Sequence, residues 1–237
     1  MKKLKILVLT LIIIITLIPT NVSAAEPTGF QTSEIGEDKF DSYLNKLSVS
    51  LLTEAPENLA INCFDVNENG LIAIGSKIHD DCYIHVYDSN FNFLYGFAFE
   101  CMGTYNIEWN DDYINIYYVR GDIAATYDSN GQITDIAKID NTIDNNSYWY
   151  TLKNNERQLG STKFKAKNDM GILNIFIGQS GYSQLVKTDD LGNEIVLYNV
   201  NSFQLAKIVM ILFGISFFIA IVILAITKEF TKAKRPK

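Results

Sequence analysis

Aromatic and basic side chains cluster between residues 140 and 162, and these residue types suit ligand binding. Tyr148, Trp149 and Tyr150 offer flat apolar faces for a sugar or a peptide, and Lys153 and Arg157 follow closely. In an acidic chain, such a local reversal of charge could steer an acidic partner. We therefore predict that Tyr148, Trp149, Tyr150, Lys153 and Arg157 bind a ligand, which the sequence does not identify.

A structural interpretation of the same region competes with ligand binding. Lys163, Lys165 and Lys167 alternate with Phe164 and Ala166, as residues on the solvated face of a strand do. Lysines also protect the edges of sheets from pairing with other chains. Under this interpretation the aromatic residues fill an opening between repeats and bind no ligand.

Catalytic and metal-binding motifs are present only in part. The segment 178–181 approaches Gly-x-Ser-x-Gly, but Tyr182 stands where the second glycine is needed. The segment 65–70 resembles the beginning of a calcium-binding loop, but Ser76 occupies the position where such a loop requires a bidentate glutamate. A turn between two strands requires the same Asn and Gly residues, so the segment is interpreted as a turn. We interpret the two histidines, His79 and His85, as polar residues of a strand. We predict no catalytic residues, no metal, no cofactor and no enzymatic activity.

The three cysteines do not form a recognisable pair. Cys63, Cys82 and Cys101 are an odd number, and none has a partner at Cys-x-x-Cys spacing. A simple hairpin register does not place Cys82 opposite Cys101. The sequence therefore predicts buried free thiols.

Both ends of the chain are apolar. The run 6–18 has 13 residues, follows three lysines and precedes small residues, so residues 1–25 are predicted to be a cleaved signal peptide. The uncharged run 208–227 has 20 residues, enough to cross a bilayer, within a predicted transmembrane helix at 203–227. Because the tail 228–237 is basic, we expect it in the cytoplasm and the N-terminal side outside, in a single-pass membrane protein.

The segment between these ends is strongly acidic. Residues 26–202 contain 11 Lys plus Arg against 26 Asp plus Glu, a net charge of −15. Nucleic acid would be repelled by this charge, so it is excluded as a partner.

Residues 26–58 are predicted to be an N-terminal helix or linker segment, and residues 59–202 the extracellular β domain.

Short runs of Ile, Val, Tyr and Phe, separated by Asn, Asp and Gly, predict strands joined by tight turns. The turns repeat in two kinds. The first kind begins at Asn67, Asn110 and Asn168, and the second at Asp88, Asp128 and Asp189. Turn spacing and strand pattern resemble β-propeller repeats, although no diagnostic blade motif accompanies them. The resemblance implies a mainly β fold of three antiparallel four-stranded propeller-like repeats, at 60–99, 104–139 and 164–200, with 140–162 as an insertion.

Three such units are too few to close a propeller, which usually needs at least about four. The units would form an incomplete propeller, an open meander or a sandwich, or would associate with copies in the same membrane. We predict a membrane-anchored, extracytoplasmic binding or scaffolding module. Its expected partners are the membrane and a second copy or another membrane protein. The alternatives are an extracellular hydrolase of cell-wall polysaccharide or peptide, and an accessory subunit of a membrane complex.

Overall fold

The computed structural model describes residues 29–174 and 181–233, and this part of the chain contains fourteen β-strands. In chain order they are β1 (Thr32–Glu34), β2 (Ser50–Leu51), β3 (Cys63–Val66), β4 (Ile72–Ile78), β5 (Asp81–Tyr87), β6 (Phe93–Glu100), β7 (Tyr105–Asn110), β8 (Tyr113–Tyr118), β9 (Ile123–Tyr127), β10 (Ile133–Ile139), β11 (Glu156–Leu159), β12 (Thr162–Lys167), β13 (Gln184–Thr188) and β14 (Glu194–Asn199). The helices are α1 (Glu37–Lys46), α2 (Ile143–Leu152) and α3 (Asn201–Ala233), with a 3₁₀ turn at Gly171–Leu173. The predicted signal peptide, residues 1–25, lies outside the described residues.

The strands form three antiparallel sheets. The central sheet has the order β2-β6-β5-β4-β3, the second sheet β1-β10-β9-β8-β7 and the third sheet β11-β12-β13-β14. The predictions of a mainly β fold and of one C-terminal apolar helix are confirmed. Sheets of four and five strands are compatible with blade-like repeats, but the described residues do not form a closed propeller.

Both faces of the central sheet are covered. Its side chains alternate between two cores, one on each face. Ala73 of β4 and Ile84 of β5 belong to the core shared with the second sheet. Ile72 and Ile74 belong to the core shared with Phe164 and other residues of the third sheet. Successive residues of a strand point to opposite faces, so the apolar residues at the beginning of β4 supply both cores.

The N-terminal segment completes the edges of two sheets. β1 pairs with β10, with Thr32 opposite Ile139, and β2 pairs with β6, with Ser50 opposite Ala98. The helix α1 connects these two short strands. Residues 32–51 therefore cover two sheet edges that would otherwise expose unpaired backbone groups.

The third sheet begins earlier in the chain than the turn pattern indicates. Its first strand, β11, lies inside the segment 140–162, which the sequence treats as an insertion, and α2 occupies the beginning of that segment. β12 and β13 are neighbours, with Lys167 opposite Gln184, although residues 168–183 lie between them. The tight hairpin expected at Asn168 does not form, because Asn168 instead accepts a hydrogen bond from the Ser183 backbone N–H at 2.8 Å.

One helix in the described part of the chain, α3, is long and apolar enough to cross a membrane, over Asn201–Leu224. Its first turns contact the β domain, since Gln204 and Ile208 are buried. Beyond Ile208 its large apolar side chains are exposed, as Phe213 and Phe217 illustrate. A helix that is apolar on all sides requires a hydrophobic environment to cover it.

Candidate functional site

The helix α2 carries the predicted aromatic residues. It begins after Thr142, whose hydroxyl oxygen accepts a hydrogen bond from the Asn145 backbone N–H at 3.1 Å. Asn145 is buried, and its side-chain amide donates to the carbonyl oxygens of Gln31 and Asp140. Because these bonds attach α2 to the residue before β1 and to the residue after β10, the position of the helix relative to the second sheet is fixed.

The five predicted site residues fall into two groups. Tyr148 is buried and donates its hydroxyl to Glu108, and the Arg157 side chain is largely buried in an ion pair with Asp65. Trp149, Tyr150 and Lys153 reach a groove at the surface. Tyr148 and Arg157 therefore hold elements together, and the other three are placed where a ligand could contact them.

The surface groove, which we call the α2 groove, has a volume of about 280 Å³. Its lining residues come from α2 and the ends of neighbouring strands: Thr104, Val119, Asn146, Trp149, Tyr150 and Lys153. Trp149 contacts Tyr117 edge to face, with ring centroids 6.2 Å apart. Tyr150 is 75 % exposed, and the Lys153 ammonium lies 5.6 Å from the centre of its ring.

Asp65 joins one strand from each of the three sheets. Its carboxylate accepts from Arg157 Nε of β11 at 2.8 Å and from the Trp109 backbone N–H of β7 at 2.8 Å. The Arg157 guanidinium also lies 5.5 Å from the centre of the Phe64 ring. Burial raises the pKa of Asp65, and the nearby guanidinium opposes that rise. Asp65 is thus a buried structural carboxylate whose oxygens are occupied.

Glu108 forms a second junction, between β7, β8 and α2. Its carboxylate accepts from the Tyr117 hydroxyl at 2.6 Å and from the Tyr148 hydroxyl. Burial, together with the Glu108 carboxylate, raises the pKa of Tyr117, so the phenol keeps the proton that it donates. Residue types and spacing gave no signal of this contact, because Glu108 and Tyr148 lie 40 positions apart.

An acidic cleft of about 550 Å³ lies where the β3–β4 turn meets the β7–β8 turn. Its residues share these two turns and the strand ends beside them: Asp65, Val66, Asn67, Glu68, Asn69, Glu108, Trp109, Asn110, Asp111 and Asp112. Within the described ranges, no group of three or more His, Cys, Asp or Glu side chains is placed to hold a metal ion. The sequence missed this cleft because it depends on two turns that are distant in the chain.

The calcium-like segment 65–70 is a turn. Asn67 Oδ1 accepts from the backbone N–H groups of Asn69 and Leu71, at 3.0 and 2.8 Å. Gly70 adopts a positive φ of 78°, which is the conformation that glycine tolerates. Ser76 is buried, and its hydroxyl lies 3.1 Å from His85 Nε2.

His85 and the cysteines are enclosed in the cores. Burial lowers the pKa of His85 to about 3, so the imidazole is neutral between Ser76 and Tyr87. The three cysteines are buried free thiols, as the sequence predicts. Burial raises the pKa of Cys63 to about 12, which suppresses its reactive thiolate. The incomplete hydrolase motif at 178–181 falls mostly outside the described residues.

Comparison with protein-family models, with curated proteins and with solved structures finds no match to this chain.

Proposed function

We propose that this protein is a membrane-anchored, extracytoplasmic binding or scaffolding module that presents the α2 groove to its ligand. The observation that carries the proposal is the placement of Trp149, Tyr150 and Lys153 along one groove at the surface. An exposed aromatic ring beside an ammonium group suits a ligand with both an apolar face and an acceptor or negative charge. The module itself performs no chemical step.

The proposed location places the β domain outside the cell and the basic tail 228–237 in the cytoplasm. The support for it is the length and apolar character of Asn201–Leu224 and the basic residues of the tail. A cysteine introduced at exposed Tyr150 should react with a membrane-impermeant maleimide in intact cells. The native cysteines are buried, and the protein without the introduced cysteine, labelled in parallel, measures their reaction. Labelling only after the cells are lysed would contradict this orientation.

Site-specific photocrosslinking tests the binding role. A photoreactive amino acid replaces Tyr150 in the groove and, as a matched control, Tyr113, which is exposed and does not line the groove. We expect a discrete adduct from position 150 that is absent from position 113. The Lys153→Glu substitution should reduce its yield, because it reverses the charge beside the ring.

Two results would contradict the binding role. One is the same adduct pattern at positions 150 and 113. The other is an adduct at position 150 whose yield the Lys153→Glu substitution leaves unchanged. Circular dichroism of each variant establishes that the β domain is folded before the comparison is made.

An accessory subunit of a membrane complex is the second candidate function. The observation that favours it is β14, whose only strand neighbour among the described strands is β13. Ile195 and Val196 of β14 are exposed. An apolar strand edge beside a helix that can span a membrane suits a contact with another membrane-bound chain.

A further inference from the structure

The acidic cleft contains two buried hydrogen-bond donors whose bonds are not made within the protein. Asn67 Nδ2 and Trp109 Nε1 have no hydrogen-bond partner among the described residues, and both residues line the cleft. Asn67 is only 6 % exposed. Buried donors are nearly always satisfied in folded proteins, because leaving one unpaired is costly. The pair therefore points to an acceptor that a ligand supplies.

The orientation of Asn67 is fixed by its own turn. Its Oδ1 accepts from two backbone N–H groups, at 3.0 and 2.8 Å, so the amide cannot exchange its oxygen and nitrogen without losing both bonds. The unpaired atom is consequently a donor and not an acceptor. A ligand that satisfies it must present an oxygen or another acceptor.

Carboxylates at the rim set the rest of the ligand's chemistry. Glu68, Asp111 and Asp112 are exposed and line the cleft with the two donors. They accept hydrogen bonds and repel a negatively charged ligand. An acceptor that reaches either donor must therefore be neutral, and the groups beside it must be donors.

We propose that the acidic cleft binds a short saccharide that carries N-acetyl groups. Amide carbonyl oxygens are neutral acceptors that suit Asn67 Nδ2 and Trp109 Nε1 separately, and sugar hydroxyls donate to the rim carboxylates. The half-buried indole of Trp109 offers apolar surface to the ring. This site is separate from the α2 groove and does not depend on the proposed function of that groove.

Intrinsic fluorescence can separate the two sites because the chain has two tryptophans, Trp109 in the cleft and Trp149 in the groove. The full-length protein in detergent is titrated with tri-N-acetylchitotriose. In the Trp149→Phe variant we expect a saturable fluorescence change, reported by Trp109. Maltotriose, which has hydroxyls and lacks acetamido groups, should give at least about tenfold weaker binding.

The Asn67→Asp substitution removes the unpaired donor and keeps the turn. The three corresponding turns have Asp88, Asp128 and Asp189 at this position, with the same pair of backbone bonds. We expect the substitution to weaken trisaccharide binding about 10- to 100-fold. Asn69→Asp is the control, since it adds the same charge in the same cleft without removing the Asn67 donor.

Calorimetric titration of the wild type, Asn67→Asp and Asn69→Asp gives the same comparison without a tryptophan substitution. Equal affinities of the two aspartate variants would overturn the proposal, as would equal binding of both trisaccharides. The absence of saturable binding at millimolar sugar would also overturn it. A fluorescence change reported only by Trp149, in a Trp109→Phe variant, would support the groove and refute the cleft.

Discussion

His85 is a neutral imidazole between the central and third sheets. Its Nδ1 lies 2.8 Å from the Tyr87 hydroxyl and its Nε2 lies 3.1 Å from the Ser76 hydroxyl. Burial lowers its pKa to about 3, against about 6.5 for an exposed histidine. Protonation of His85 therefore favours the unfolded chain. The contribution of the neutral ring to the free energy of unfolding is complete above pH 6.5 and is lost as the pH falls toward 3.

The His85→Gln variant should lose this part of the acid sensitivity. Both proteins should lose stability between pH 7 and pH 4.5. We expect the loss in free energy of unfolding to be about 2 to 3 kcal/mol smaller for the variant than for the wild type. Urea unfolding at the two pH values measures the difference. His79→Gln, at an exposed turn residue, is the control. An unchanged pH dependence in His85→Gln would show that the imidazole is not held neutral.

The Asp65–Arg157 pair, which joins the central and third sheets, should contribute more to stability than an exposed pair within the third sheet. Both side chains are mostly buried, so Asp65→Asn leaves the guanidinium without a charged partner and should cost about 3 kcal/mol. Lys165 and Glu156 are also paired but are half exposed, so Lys165→Gln should cost far less. Chemical denaturation of both variants tests the order. Equal losses would contradict the structural role of Asp65.

Four tight turns share one hydrogen-bond pattern. In each, an Asn or Asp oxygen accepts the backbone N–H groups two and four residues on, as Asp128 does from Asn130 and Gln132 at 2.9 and 2.7 Å. The fourth residue of each turn has a positive φ, between 65° and 83°: Gly70, Phe91, Gly131 and Gly192. In the Phe91 turn, the unfavourable backbone conformation is offset by ring stacking on Tyr87 at 4.1 Å.

Gly131 and Gly192 separate the effect of backbone conformation from that of packing. A Cβ at Gly192 meets no atom within 4 Å, whereas a Cβ at Gly131 lies 2.8 Å from Val49 Cγ2. Gly192→Ala should cost about 1 kcal/mol through its positive φ alone, and Gly131→Ala about 2 to 3 kcal/mol. Denaturant titration of both variants measures the two values. A cost for Gly131→Ala no larger than that for Gly192→Ala would refute the contribution of Val49.

The sequence predicts strands β3 to β10 and the turns between them well, because alternating apolar residues and Asn, Asp and Gly turns are local signals. It does not predict that β1 and β2 add a fifth strand to the second and central sheets. It misses β11 because the Glu-Arg-Gln-Leu segment has little apolar character and becomes a strand through its pairing with β12. The helix α2 is missed for a similar reason. Its Asp-Asn-Asn-Ser segment has weak helix propensity, and tertiary bonds of Asn145 and Tyr148 hold it.

Candidate sites were less predictable than strands. The aromatic triplet was identifiable from composition, but which of its members face solvent depends on the packing of α2 against β7 and β8. Tyr148 points inward to Glu108 while Tyr150, two residues later, is exposed. The acidic cleft combines residues from two turns more than 40 positions apart, and neither turn alone differs from an ordinary connection.

Sheet edges determine how the whole molecule can associate. β1 and β2 cover the edges of the second and central sheets, and β3 and β7 lie beside one another. β1 and β2 are edge strands of three and two residues, whereas β14 is an edge strand of six residues with only β13 beside it among the described strands. β14 directly precedes α3, so an interface along β14 in two membrane-anchored copies would leave both helices parallel about a twofold axis.

We expect the full-length protein in mild detergent to form a dimer or a larger assembly through β14. Ile195 is 55 % exposed on this edge, and Ile195→Lys should shift the assembly toward monomer, because lysine on an edge strand opposes pairing with another chain. Ile143→Lys is the control, since Ile143 is 84 % exposed on α2. Multi-angle light scattering gives the masses. A monomeric wild type, or equal dissociation by both substitutions, would show that β14 is not the interface and that its exposed edge is tolerated in the single chain.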